Sequence, residues 1–502
     1  MTAARIHDLF DRCLRRSPDR VFLHLPANGP GAAAMTYAQL DGMARALEVE
    51  LRRERVRPGD RVMAVAENCP QHIALILACS RMGAWSCGVN ARMAPGEVDG
   101  FAAKADARIC YFTTGVSEYA AAHADRSCAM PSTVAGLSRS PVRSEAIPES
   151  GPLAERVAAI IFTSGTSGSP KGVMMTHEGV THFARVSAQS RALAEDDRSY
   201  AYLPMTHIFG LGTVLMASLH AGAALLMRTS FDPSVALNDL ARHGVTQLQG
   251  PPALFARLLG HVEQHGDMRC TAPDLRYVYA GAGPLDMSLK RRVEAAFDLP
   301  LHHGYGLSEY AGSLYMTRRG ERRDDTSCGH AVEGAEVRIV DPATGSDVPV
   351  GQRGEIWLRG VGLMPGYFRD VGASCTVMRD GWYMSGDIGE VGRDGALFVV
   401  GRLKEMIIRS GFNVYPAEIE AVLNGFESIE RSAVVGHGVA DGNEDIVAYV
   451  QLVPGAVLDE PALRAHLAHW LAPYKQPGQI VVMKDLPMTA TGKVLKRRLL
   501  PA

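Results

Sequence analysis

The run Ala158-Ala159-Ile160-Ile161-Phe162 passes directly into Thr163-Ser164-Gly165-Thr166-Ser167-Gly168-Ser169-Pro170-Lys171-Gly172. The apolar run reads as a buried strand, so the loop leaves a sheet edge, where ligands often bind. Glycines let amide N–H groups converge without side-chain clash, and the Ser and Thr hydroxyls add donors. Lys171 supplies a positive charge at the end of the loop. That combination suits phosphate oxygens. A flexible Gly/Ser turn is the commoner fate of such composition. Hydroxyls on both sides of the glycines, together with Lys171, argue against it here. The loop is not a Walker A motif, because Pro170 and Gly172 flank the lysine where that motif needs Gly and Ser/Thr. No G-x-G-x-x-G follows a strand, so a dinucleotide fold has little support.

The rest of the chain alternates helices and strands. Thr36 caps a helix that continues through Asp41 to Arg53. Pro58-Gly59-Asp60 is a turn, Arg61 to Val65 a strand, and Gln71 to Gly83 a buried helix with a glycine stop. This rhythm implies α/β layering. Asp125 to Gly151 reads as an irregular connector. From Gly334 onward strands and turns dominate, with strands at Glu336 to Val340 and Gly354 to Leu358 and from Ile388 to Val400, the last broken by an Arg393-Asp394-Gly395 hairpin turn. After Arg402 a βα pattern restarts, with helices at Glu418 to Leu423 and Leu463 to Leu471 and strands at Ser432 to Val435 and Ile446 to Leu452. The expected architecture is a large domain over 1–402, made of layered α/β subdomains and a small β subdomain, and a small mobile α+β lid over 403–502. With 502 residues the chain can bury more than one core. A net charge of −2 gives no reason to expect nucleic-acid binding. The longest apolar runs are too short to span a bilayer. Nine scattered cysteines without metal spacing, and an N-terminus without a signal-type apolar block, point to a reducing cytoplasm.

Four further segments carry chemistry. In His302-His303-Gly304-Tyr305-Gly306-Leu307-Ser308-Glu309, a glycine-bracketed tyrosine can lie flat on a planar base. Ser308 can donate to a phosphoryl oxygen, and Glu309 is a hard oxygen ligand suited to Mg²⁺. Ser385-Gly386-Asp387 places a carboxylate that can accept two ribose hydroxyls, though a plain Asx turn has the same look. Gly401-Arg402-Leu403-Lys404-Glu405 is a charged linker, and Pro487-Met488-Thr489-Ala490-Thr491-Gly492-Lys493 sets a lysine on a glycine-containing loop.

Together with the first loop, these segments resemble, in order, the motifs of the adenylate-forming superfamily, in its acyl-CoA synthetase and aryl-CoA ligase branch. Ser308 stands where that family usually has Thr. The resemblance covers essentially the whole chain. It implies activation of a carboxylic acid by ATP to an acyl-adenylate, with Mg²⁺, and transfer to CoA. It implies that Thr163, Ser164, Gly165, Thr166, Ser167, Gly168 and Lys171 hold phosphates, and that Gly281, Ala282, Gly304, Tyr305, Gly306 and Ser308 border the nucleotide. Asp387 and Arg402 match the ribose contacts, Lys493 the catalytic lysine, and Lys404 the hinge. Gly411 and Phe412 would face the pantetheine arm. Around the acid, the resemblance points to His207, Phe209, Gly210, Ala280, Gly283, Leu307 and Gly312. The walls Ala280 to Gly283, Gly304 and Ala311 to Ser313 are small, so an aryl or medium-length alkyl acid should fit. Peptide-synthetase domains for α-amino acids place an Asp just after the segment matching Pro204 to Leu211; none appears here before Asp232, which disfavours an α-amino acid. An acyl carrier protein as acceptor, a catalytically silent nucleotide-binding homologue, and a homodimer all stay open.

Overall fold

The computed structural model describes residues 5–26, 33–163, 171–266, 269–409, 412–438, 444–488 and 494–499. The calls on Ser164, Gly165, Thr166, Ser167, Gly168, Gly411 and Lys493 lie outside them.

Local signals produce the first elements. Thr36 accepts from the Gln39 N–H at 3.2 Å while Gln39 Oε1 accepts from the Thr36 N–H at 2.8 Å, so a capping box starts the helix Tyr37–Arg53. The helix Pro70–Met82 ends where Gly83 turns left-handed at φ 70°. It packs against the seven-stranded sheet. That sheet runs in the order Met130–Pro131, Ser138–Arg139, Ile109–Phe112, Arg61–Ala66, Trp85–Asn90, Val157–Thr163 and Lys171–Thr176. Its central strands are parallel, and its last two form an antiparallel hairpin in which Thr163 faces Lys171.

Residues 125–151 are less irregular than their composition suggests. Met130–Pro131 and Ser138–Arg139 pair and extend the sheet. Two-residue strands carry no periodicity to read. They are held by the buried Glu50, which accepts from Tyr111 Oη at 2.8 Å and Ser132 Oγ at 2.9 Å.

A nine-stranded sheet follows, with Gly312–Met316, Leu301–Leu307, Tyr277–Ala280, Gln247–Gly250 and Arg198–Ala201 side by side. The helix His177–Ser190 and a π-helix at Phe209–Met216 come from the same part of the chain. A five-stranded antiparallel sheet is built on Ala335–Val340, Gly354–Gly360, Trp382–Val391 and Leu397–Arg402.

Beyond Arg402, the smaller C-terminal domain is a three-stranded sheet of Ile429–Gly438, Glu444–Leu452 and Gln479–Met483 with the helices Pro416–Asn424 and Glu460–Trp470. Its apolar clusters draw only on residues from Ile407 onward, whereas the main cluster runs from Ile6 to Leu397. Among the described residues no helix is long and apolar enough to cross a membrane.

Candidate functional site

The loop-bearing hairpin packs against the segment that follows the strand Gly354–Gly360. Val173 bridges Tyr367, and the Phe368 N–H donates to the Gly172 carbonyl at 2.7 Å. This docking sets Lys171 over the ring of Tyr367, with Nζ 4.7 Å from the centroid. Tyr367 Oη donates to Glu309 Oε1 at 3.0 Å and lies 3.4 Å from Tyr383 Oη. Burial, then the Glu309 carboxylate, push both phenols above their ordinary values, so both stay protonated. One buried tyrosine therefore spaces the loop lysine from the acidic residue.

Glu309 itself sits on the short 3₁₀ turn Ser308–Tyr310, and its carbonyl accepts from the Met364 N–H at 2.8 Å. Its carboxylate is a hard oxygen donor of the kind that holds Mg²⁺ alongside substrate phosphates, so the residue fits that ion.

Two residues before Leu307, in the same strand, Tyr305 donates its hydroxyl to Asp387 Oδ2 at 2.6 Å. Arg402 Nε meets Asp387 Oδ1 at 3.0 Å across the third sheet, where the two residues are register partners. Asp387 is 4% exposed, so it depends on both donors for its charge. Asp387 raises Arg402 above its ordinary value, and burial with Asp387 raises Tyr305 well above. Gly386, at φ 70°, makes the turn before it and donates its N–H to Glu355 Oε1 at 2.9 Å. Ser308 is buried.

The acid-side residues also cluster. The Phe209 ring meets Tyr279 edge-on at 6.0 Å, and Tyr279 Oη lies 3.3 Å from Ser313 Oγ. A side chain on Gly281 would touch both aromatic rings. His207 is pushed below its ordinary value by burial. Its Nδ1 accepts from the Phe209 N–H at 3.2 Å, so the neutral ring carries its proton on Nε2.

Several of the small walls are also fixed by packing. A Cβ on Gly304 would collide with the Tyr279 hydroxyl, one on Gly210 with the Pro204 carbonyl, and one on Gly312 with the Phe183 ring. These glycines are small because neighbours already occupy the space. Gly306 is equally tight, its Cβ falling 2.5 Å from the Gly312 carbonyl. Gly283 is looser, 3.3 Å from Pro252. Ala280 is fully buried at the end of its strand, Leu307 is half-buried, and Ala282 adopts φ 61°.

The linker leads from Arg402 into the C-terminal domain. Lys404 lies in the 3₁₀ turn Leu403–Glu405, directly after Arg402. Met488 bridges Val494, and the Leu495 N–H donates to the Pro487 carbonyl at 2.7 Å. Lys496 then pairs with Glu405 at 3.1 Å and Glu420 at 2.8 Å. Burial works against this charge, but Glu420 and Glu405 outweigh it and hold Lys496 above its ordinary value. Phe412 opens the strand Phe412–Val414, opposite Arg409.

Sequence reasoning singled out Lys171, Glu309, Asp387 and Arg402, and the structure brings them together. It missed Tyr367 and Tyr383. Met364-Pro365-Gly366-Tyr367 signals only a turn, and nothing local ties either ring to a lysine far up the chain.

Comparisons with known proteins agree with one another. The family model for AMP-binding enzymes matches residues 10–368, and that for the AMP-binding enzyme C-terminal domain matches 418–493. A feruloyl-CoA synthase from an Amycolatopsis species is 33% identical, over 95% of this chain and 96% of its own. 4-Coumarate–CoA ligase 2 of Nicotiana tabacum is 32% identical, over 94% and 90%. Among solved structures, ATP-bound MatB from Rhodopseudomonas palustris superposes with a TM-score of 0.85 at 28% identity, over 99% of this chain and 98% of that one.

Proposed function

Because the chain belongs to the AMP-binding enzyme family, in its aryl-CoA ligase branch, we propose that it activates an aromatic carboxylic acid and that the residues gathered above divide the work. The enzyme is an AMP-forming acid–CoA ligase. The acid's carboxylate attacks the α-phosphorus of ATP. An O–P bond forms, the bond to the β-phosphate oxygen breaks, and pyrophosphate leaves. CoA thiolate then attacks the acyl carbon and AMP departs.

Both first-step reactants are anions, so the site must offset their repulsion and hold them in line. Lys171 and the 163–168 loop bind the β- and γ-phosphates. Glu309 would hold Mg²⁺, which neutralises phosphate charge when bound. Asp387, oriented by Tyr305 and Arg402, takes the ribose hydroxyls. His207 turns a neutral Nε2–H donor to the acid, and Lys493 meets the charge that develops between carboxylate and α-phosphate. The lid of 403–502 then turns about Lys404 and presents Gly411 and Phe412 to the pantetheine arm. The relatives' names favour CoA over a carrier protein and an aryl over an alkyl acid. A cytoplasmic setting suits both co-substrates.

The observation that carries this reading is the joined pair of contacts: Lys171 and Glu309 on Tyr367, and Asp387 between Tyr305 and Arg402. Pyrophosphate release across a panel of aryl and alkyl acids, with and without CoA, tests it. The expected result is release with an aryl acid and a CoA thioester as product. Tight ATP binding with no release from any acid would instead mark a silent homologue.

A further inference from the structure

Next to Tyr279 the second sheet turns a polar face toward the π-helix. Gln247 and Gln249 alternate onto one side of the strand Gln247–Gly250, in register with Tyr277 and Tyr279 on the neighbouring parallel strand. Two contacts show that this side lies under the π-helix. Ser199, the register partner of Gln247, lies 3.3 Å by its Oγ from Ser218 Oγ, just past the π-helix, and Tyr279 meets Phe209 at its start. Arg191 enters from the helical layer, donating Nε to the Ser187 carbonyl at 3.0 Å and Nη2 to the Thr213 carbonyl at 2.6 Å.

All of these side chains are fully or almost fully buried. Yet both amide atoms of Gln247, both of Gln249, the Tyr277 hydroxyl and Arg191 Nη1 have no hydrogen-bond partner among the described residues. Asp197, whose charge bears on Arg191, already takes Arg276 Nε at 2.6 Å. Buried polar atoms are normally paired, and one orphan calls for an explanation. Six in one layer, beside the wall of the acid site, call for a ligand.

We propose that this layer is the far end of the acid pocket and selects acids with an oxygen function, whether hydroxyl, keto or carboxyl, at the end remote from the reacting carboxylate. The inference deepens the acid-activating reading and rests on it. The amide N–H groups, Tyr277 and Arg191 can all give a hydrogen bond to a terminal oxygen, and a terminal hydroxyl can in addition donate to an amide oxygen. A methyl end leaves every one of these atoms unpaired. An ammonium end meets the guanidinium as a like charge.

Matched acids test it: octanoic against 8-hydroxyoctanoic acid, and 3-phenylpropanoic against 3-(4-hydroxyphenyl)propanoic acid, by pyrophosphate release. Sites built to bond a hydroxyl reject the analogue that lacks it. The oxygen-ended acid should win by about tenfold or more in kcat/KM in at least one pair. Gln249→Leu and, as a shape-conserving second variant, Gln249→Met should each bring that ratio to within about threefold of parity. Equal rates for both ends in the wild type, as water alone filling the layer would give, overturn the proposal, as does a preference that survives both variants. Release from no acid at all overturns the adenylation reading, and this one with it.

Discussion

Tyr305 shows how much a single hydroxyl carries. Its glycine-bracketed place in the sequence suggests a flat surface for a base. Its hydroxyl has a second task, which is to hold Asp387 at 2.6 Å while Arg402 holds the other oxygen. A buried carboxylate that loses a donor is left with desolvation it cannot recover, on the order of 1–3 kcal/mol. Tyr305→Phe should therefore lower unfolding stability by about that amount and raise KM for ATP by roughly tenfold. The ring stays, so stacking is kept and kcat should change less than KM. Denaturant unfolding and ATP titration of pyrophosphate release measure both. An unchanged KM for ATP would separate Asp387 from the ribose. Residue types were legible because each motif bundles a glycine with one chemically distinct side chain. Partners such as Tyr367 were not, because contact between Lys171 and a ring in the segment after Gly354–Gly360 is a property of docking, invisible along the chain.

At the level of elements, the pattern after Arg402 was readable, and for a physical reason. Strand periodicity gives way to βα alternation at the point where the apolar clusters separate. The order of strands within the large sheets was not readable, since parallel pairing joins distant segments, as Leu23 with Leu225 shows. The linker between the domains is short and bound at both ends. Arg402 is tied to Asp387, and Glu405 to Lys496. Farther along, Glu418 of the first lid helix takes both Arg353 from the large domain and, at 2.6 Å, Lys475 from the lid. If the C-terminal domain turns about Lys404 as proposed, the turn breaks the contacts to the large domain and Lys404 takes up the dihedral change. Proline fixes φ and removes an N–H. Lys404→Pro should hence spare pyrophosphate release and cut CoA-thioester formation by about a hundredfold or more, on the scale of losing one catalytic alignment. Single-turnover assays of each half-reaction read this directly. Equal loss of both would remove Lys404 from the hinge.

Across the whole molecule, the layered core buries histidines as it buries apolar residues, and this gives the fold a pH limit of its own. Burial lowers His72 and His302 to about 4, burial with Arg198 lowers His24 to about 4, and burial with Arg5 lowers His177 to about 3. All four lie in the large domain. In the unfolded chain each titrates near 6.5. Between about pH 6.5 and 4 the unfolded state therefore binds more protons than the folded one, and stability must fall as the solution is acidified. At pH 5 these four rings together take up about three to four protons on unfolding. The stabilising difference is fully present above pH 6.5 and is lost progressively below it. Unfolding of the large domain, followed by denaturant titration at pH 7, 6 and 5, should shift steadily to lower midpoints, with the steepest change below pH 6. The same window separates fold from chemistry. Burial also pushes His207 below its ordinary value, so activity lost just below pH 6.5 should follow the unfolding curve rather than precede it. Activity that collapses near pH 6.5 while the unfolding midpoint stays put would mean that His207 titrates at its ordinary value and that the acid side of the site is open to water.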